Sequence, residues 1–205
     1  MKAKLRSNLL LGLGLLLILA AAALTAYNLH TEQTAGETAT EAMVTLSEQV
    51  TENVAHQIAE AVPDYVLYPE MPMPEVNING INYIGYLAIP ALGLDLPIVT
   101  TTSNYYLRAA PCRFSGSAYT EDLVIGAHNY VTHFGRLKEL NYGDELTFTD
   151  MDGNEFRYVV DSVEILQPHE AEYLTESEYP LSLYTCTIGG RTRLTIRCIA
   201  AERNA

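Results

Sequence analysis

The sequence predicts a mainly β domain, a closed or nearly closed barrel with short helices, preceded by an N-terminal transmembrane helix and a stalk. Three observations carry this. Residues 9–27, LLLGLGLLLILAAAALTAY, run for 19 positions without a charge. Beyond Gly80, short runs rich in β-branched and aromatic residues alternate with turn signals. Between two of these runs lies Asp150-Met151-Asp152-Gly153-Asn154, whose Asp-Gly pair marks a hairpin.

As a helix, the N-terminal run spans roughly 28 Å, close to the hydrocarbon thickness of a bilayer. Lys2, Lys4 and Arg6 precede it and residues 1–30 hold no acid, so the net charge of −13 divides into +3 there and −16 in the remainder. That bias predicts an N-terminus inside the cell membrane and an acidic extracytoplasmic part. A cleaved signal peptide is the rival, since Ala20, Ala22, Ala23 and Ala26 lie near the end of the run. The run exceeds a usual signal core, which favours a retained single-pass anchor.

Residues 31–42, rich in Thr, Glu, Ala and Gly, lack an apolar period and read as a flexible spacer. Met43, Leu46, Val50, Val54 and Ile58 then recur at helical spacing, giving a helix that either docks on the domain or stands as a stalk. Pro63, Pro69, Pro72 and Pro74 end helical structure and put the main boundary near residue 75. The expected parts are 1–30, tip and anchor; 31–75, linker and stalk helix; and 76–205, the globular domain.

Within that domain, residues 83–89 and 92–99 form the first strand pair, divided by Pro90-Ala91. A short buried strand follows at 123–127, then a helical turn at 134–140. Residues 145–149 and 155–166 flank the Asp-Gly turn, and 181–187 and 193–200 are joined by a loop holding Gly189-Gly190. About seven such strands with little helix between them argue for a barrel rather than alternating α/β structure.

Composition excludes several functions. A pI near 4.7 argues against nucleic-acid binding, which needs a basic footprint. Three cysteines are too few for a disulfide scaffold and too irregular for structural zinc, and no cofactor or metal is expected. Cys112 and Cys198 are expected as buried free thiols.

Cys186 ends the apolar run Ser182-Leu183-Tyr184-Thr185-Cys186, at the rim of the expected barrel. A reactive thiol needs a neighbour that moves protons. Of five histidines, His30 and His56 lie in the tether, His169 in an expected surface loop and His133 in the loop 129–134. His128 directly follows the strand Leu123-Val124-Ile125-Gly126-Ala127, a fixed platform suited to a general acid/base. Among Arg191, Arg193 and Arg197, the last two share a strand face, and Arg193 is nearer the rim. Its guanidinium suits an oxyanion or a substrate carbonyl. Arg197 is expected as a solvated strand arginine.

In this order the residues resemble the sortases, cysteine transpeptidases of Gram-positive cell surfaces. Ser182-Leu183-Tyr184-Thr185-Cys186 is similar to the family's Thr-Leu-x-Thr-Cys, and Ala127-His128-Asn129 to its Gly-His-Asn. Arg193-Leu194-Thr195-Ile196 matches the strand carrying its arginine. Residues 83–90, 96–99, Phe134-Gly135 and Gly143-Asp144 also fit, and 126–135 looks most like class B and related clostridial members. The resemblance implies an eight-stranded sortase-type β-barrel with Cys186 as nucleophile, His128 as acid/base and Arg193 as stabilising cation. It implies partners of two kinds: surface or pilin proteins bearing a sorting signal of the Leu-Pro-x-Thr-Gly kind, and an amine acceptor from peptidoglycan precursor or a pilin lysine. Two alternatives remain at this level: a cysteine peptidase that passes the acyl group to water, and a non-catalytic peptide-binding surface module.

Overall fold

The computed structural model describes residues 2–57, 62–167, 169–170, 172–187 and 189–201. Helix α1 runs unbroken over Lys2–Gln57. It is the one helix among the described residues long and apolar enough to cross a membrane, and its apolar residues from Leu10 to Leu24 lie bare.

Residues 31–42 depart from the expected flexible spacer, for they are helical. The reason lies in their small residues. Ala35, Ala39 and Ala42 repeat at helical spacing and are buried, and the same stripe continues into Leu46 and Val50. Methyl groups let the helix lie close against the domain without a large apolar signal in the sequence. Thr34, Thr38 and Thr40 each turn the hydroxyl back onto the carbonyl four residues earlier, so they are satisfied within the helix. Leu46 and Val50 follow the expected apolar face, Val54 is 43% exposed, and Ile58 lies outside the described residues. The helix therefore docks rather than standing free.

After a single turn, α2 (Asp64–Leu67), nine strands follow among the described residues: β1 (Val76–Ile78), β2 (Ile81–Ile89), β3 (Leu94–Val99), β4 (Cys112–Ser115), β5 (Leu123–Ala127), β6 (Glu145–Asp150), β7 (Glu155–Leu166), β8 (Leu181–Cys186) and β9 (Arg193–Ala200). Turn α3 (Glu172–Thr175) precedes β8. The sheet order is β1-β2-β3-β4-β5-β8-β9-β7-β6, and β6 pairs back onto β2. Eight strands thus close on themselves, with β1 appended to β2 as an edge. Closure requires close backbone approach at Gly85, where φ is +146 and an added Cβ would lie 2.0 Å from the Thr149 carbonyl oxygen. The expected hairpin joins β6 and β7 in register Thr149 to Glu155.

Alternation sorts the side chains. Leu87, Ile98, Ile125, Phe148, Leu183 and Ile196 point inward and are fully buried. Each buries apolar surface worth about 1.5–3 kcal/mol. A second cluster lies outside the barrel wall, where Ala42, Leu46 and Val50 of α1 cover Tyr83, Val99 and Cys112. Cys112 and Cys198 are buried and free, and burial pushes both thiols up to about 12.

Arg197 corrects the expectation of a solvated strand residue, being 3% exposed. The segment between β7 and β8 folds over this face of the wall and traps it. Its guanidinium donates to Ser182 Oγ at 2.9 Å, Ser177 Oγ at 3.2 Å and the Tyr173 carbonyl, and pairs with Glu164 at 3.2 Å. A buried charge needs such partners.

Candidate active site

Three neighbouring strands bring the predicted residues to one end of the barrel. β5 and β8 are parallel, with Ala127 opposite Thr185. The next residue on each chain is His128 and Cys186, so imidazole and thiol leave adjacent strands at one level. β8 and β9 are antiparallel, with Cys186 opposite Arg193. The spacing between neighbouring strands is about 4.8 Å. Thr185 Oγ1 donates to the Ala127 carbonyl at 2.9 Å and ties β5 to β8 one residue below this level.

Parity puts the three on the outer face. Ala127, Thr185 and Leu194 turn toward the barrel interior, so His128, Cys186 and Arg193 turn outward. Below them on the same face lie Gly126, Tyr184 and Thr195. Gly126 is needed for space, because an added Cβ would sit 2.5 Å from Tyr184 Cζ. The Tyr184 ring lies over the glycine and meets Phe114 edge-on at 5.5 Å. Beside it a cleft of about 130 Å³ is lined by Phe114, Leu166, Glu170, Leu174, Tyr184 and Arg193.

Cys186 is half-buried and free, within reach of solvent at the rim. His128 is also half-buried; burial pushes its pKa below the ordinary value, and the Arg108 charge adds to the shift. The imidazole is therefore neutral at neutral pH, ready to accept a proton. Arg193 Nη1 donates to the Gly190 and Thr192 carbonyls, both at 3.3 Å, which holds the guanidinium at the turn beside Cys186. The set offers a nucleophile, a proton carrier and a fixed cation on one surface.

The other candidates lie elsewhere. His30, His169 and Arg191 are exposed, and the side chain of His56 lies outside the described residues. His133 is fully buried beneath α1. Two features were missed in the sequence. The Arg108 charge acts on His128 from the β3–β4 connection, and nothing in the sequence ties the two together. Tyr184 and Gly126 could have been paired from parity once β5 and β8 were taken as neighbours.

A family model described as Sortase domain matches residues 87–201. No curated protein matches the sequence. Among solved structures, sortase C of Streptococcus pneumoniae is similar with a TM-score of 0.58 at 21% identity, covering 82% of this chain and 98% of that one. Sortase C of Clostridium perfringens, solved with the C-terminal cell wall sorting motif, gives 0.52 at 20% identity, covering 78% and 87%. A lid mutant of sortase A from Corynebacterium diphtheriae gives 0.53 at 19% identity, covering 78% and 94%. At these identities the likeness shows the fold.

Proposed function

The chain belongs to the sortase family, whose members are cysteine transpeptidases, and from that premise we propose that it is a membrane-anchored enzyme using Cys186, His128 and Arg193. Its division would keep the expected bounds: anchor 1–30, the docked part of α1 and the segment after it over 31–75, catalytic domain 76–205. The apolar, uncovered stretch of α1 supports an anchor, and Lys2, Lys4 and Arg6 before it favour the N-terminus inside and the barrel outside. The observation that carries the reading is the shared level of three residues separated by up to 65 positions in the chain.

The substrate would be a protein with a sorting signal of the Leu-Pro-x-Thr-Gly kind. The sorting motif bound to the similar Clostridium perfringens enzyme favours this choice. His128 takes the thiol proton, and the sulfur of Cys186 attacks the threonine carbonyl carbon. Negative charge moves to the carbonyl oxygen, where the Arg193 guanidinium stabilises it. The carbon–nitrogen bond then breaks as His128 returns its proton to the leaving glycine amine. A thioester joins the acyl fragment to Cys186. An incoming amine, from a wall precursor or a pilin lysine, attacks the same carbon and loses its proton to His128. The sulfur leaves as thiolate and is reprotonated, so the charges and protons balance over the cycle.

The test is an incubation of the full chain with a Leu-Pro-x-Thr-Gly peptide and an amine acceptor. We expect amide product and its loss in Cys186→Ala. Acid product despite excess amine would assign a hydrolase on the same scaffold. Full activity in Cys186→Ala would remove both readings.

A further inference from the structure

Helix α1 passes over the loop that leaves His128. Glu32 accepts a hydrogen bond from the Val131 amide at 2.5 Å. One turn on, Gly36 faces Thr132 so closely that an added Cβ would lie 2.9 Å from Thr132 Cγ2. Between these two contacts, Ala35 is buried with its backbone beside the His133 ring. The loop is otherwise closed on itself: the amides of His133 and Gly135 donate to the Tyr130 carbonyl, and that of Phe134 to the His128 carbonyl. Phe134 is sunk in the barrel core, which anchors the far end of the loop. The Val131 amide, at the loop tip, is satisfied by the helix. Three rings then lead back to the site, His133 to Tyr130 at 5.5 Å and Tyr130 to His128 at 5.0 Å.

We propose that the Glu32–Gly36 face of α1 is a positioning element for His128, so that the docked helix holds residues 129–134 and with them the aim of the imidazole at Cys186. The proposal rests on His128 being the acid/base. Glu32 and Gly36 touch no reacting atom; they act through the loop. The physical reason is steric and local. Residues 129–132 are a short tip with few core contacts of their own, and Val131 is 59% exposed. A proton carrier displaced by about 1 Å loses rate steeply, by as much as about 100-fold. The helix removes that freedom at two points, one by hydrogen bond and one by close packing against a residue without a side chain.

The test uses the full chain in detergent or vesicles, with steady-state kinetics on the sorting peptide and amine. The variants are Glu32→Ala, Glu32→Gln and Gly36→Val. Glu32→Gln keeps a carbonyl oxygen to accept from Val131, and Gly36→Val drives a branched side chain into Thr132. We expect kcat to fall about 10-fold in Glu32→Ala and Gly36→Val, with KM within twofold. Glu32→Gln should stay near wild type. The pH dependence of Cys186 alkylation should change in the two impaired variants, because thiol and imidazole are no longer aligned. Wild-type kcat and an unchanged alkylation profile in both Glu32→Ala and Gly36→Val would overturn the proposal. So would equal losses in Glu32→Ala and Glu32→Gln. A Cys186→Ala chain that retains activity would instead refute the underlying assignment, whatever α1 does.

Discussion

His133 is a residue whose chemistry is set by its address. It follows Thr132 in a polar loop and its sequence suggests nothing unusual, yet it is fully buried. Neither ring nitrogen makes a hydrogen bond of good geometry among the described residues. Burial, helped by the nearby His128, pushes its pKa down to about 4, against a slight opposing effect of the Ala35 backbone. The unfolded chain, with an ordinary value near 6.5, therefore binds a proton that the folded chain refuses. The sign follows: this contribution to stability is complete above about pH 6.5 and drains away as pH falls toward 4, by up to about 3 kcal/mol. Urea melts of wild type and His133→Leu at pH 7 and pH 4.5 measure it. The variant should lose much less stability on acidification, and parallel losses would contradict the assignment. Arg197 teaches the same lesson. Its alternation with Leu194 and Ile196 was legible, but its burial depends on the segment before β8 folding over it, which no local pattern announces.

At the scale of elements, the strands most legible in the sequence were those whose turns carry chemistry. β5, β7 and β9 have the expected bounds. β3 begins two residues late because Pro90–Leu92 forms a 3-10 turn ended by Gly93 in the left-handed region. β1 and β4 were not foreseen. They are three and four residues long, and β4 carries a bulge after Arg113, so neither shows a period. Residues 31–42 were misread as spacer because alanine makes a docking stripe with little apolar signal. The β6–β7 hairpin has a further determinant beyond its Asp-Gly pair. Asp150 is fully buried and accepts from the Asp152 and Asn154 amides, Asn154 Nδ2 and the Tyr119 hydroxyl at 2.7–2.9 Å. Asp150→Ala strands these donors and should cost about 3 kcal/mol in a urea melt. A loss below about 1 kcal/mol would show that the turn residues suffice.

For the whole molecule, α1 joins the proposed membrane span to the barrel without a break. Its hydrogen bonds to the barrel include Glu32 on Val131, in the loop that leaves His128, and Asn53 on the Met151 carbonyl at the β6–β7 turn. Counted from Tyr27, these lie roughly 8 Å and 39 Å along the helix. The end that carries Cys186 and His128 should therefore face the bilayer and the hairpin should point away. A cysteine probe at Val131 or Glu155 in a Cys186→Ala background, where Cys112 and Cys198 are buried, reads this directly in vesicles. Headgroup spin labels should quench the Val131 probe strongly and the Glu155 probe little. Equal quenching would contradict the orientation.

The proposed function rests on a covalent intermediate, and peptide-mapping mass spectrometry tests it. The chain is mixed with the sorting peptide, quenched in acid and digested. We predict an added mass equal to the peptide fragment ending at threonine, carried as a thioester on Cys186 and removed by an added amine. An unmodified Cys186 under conditions that consume the peptide, or an adduct on another residue, would contradict it.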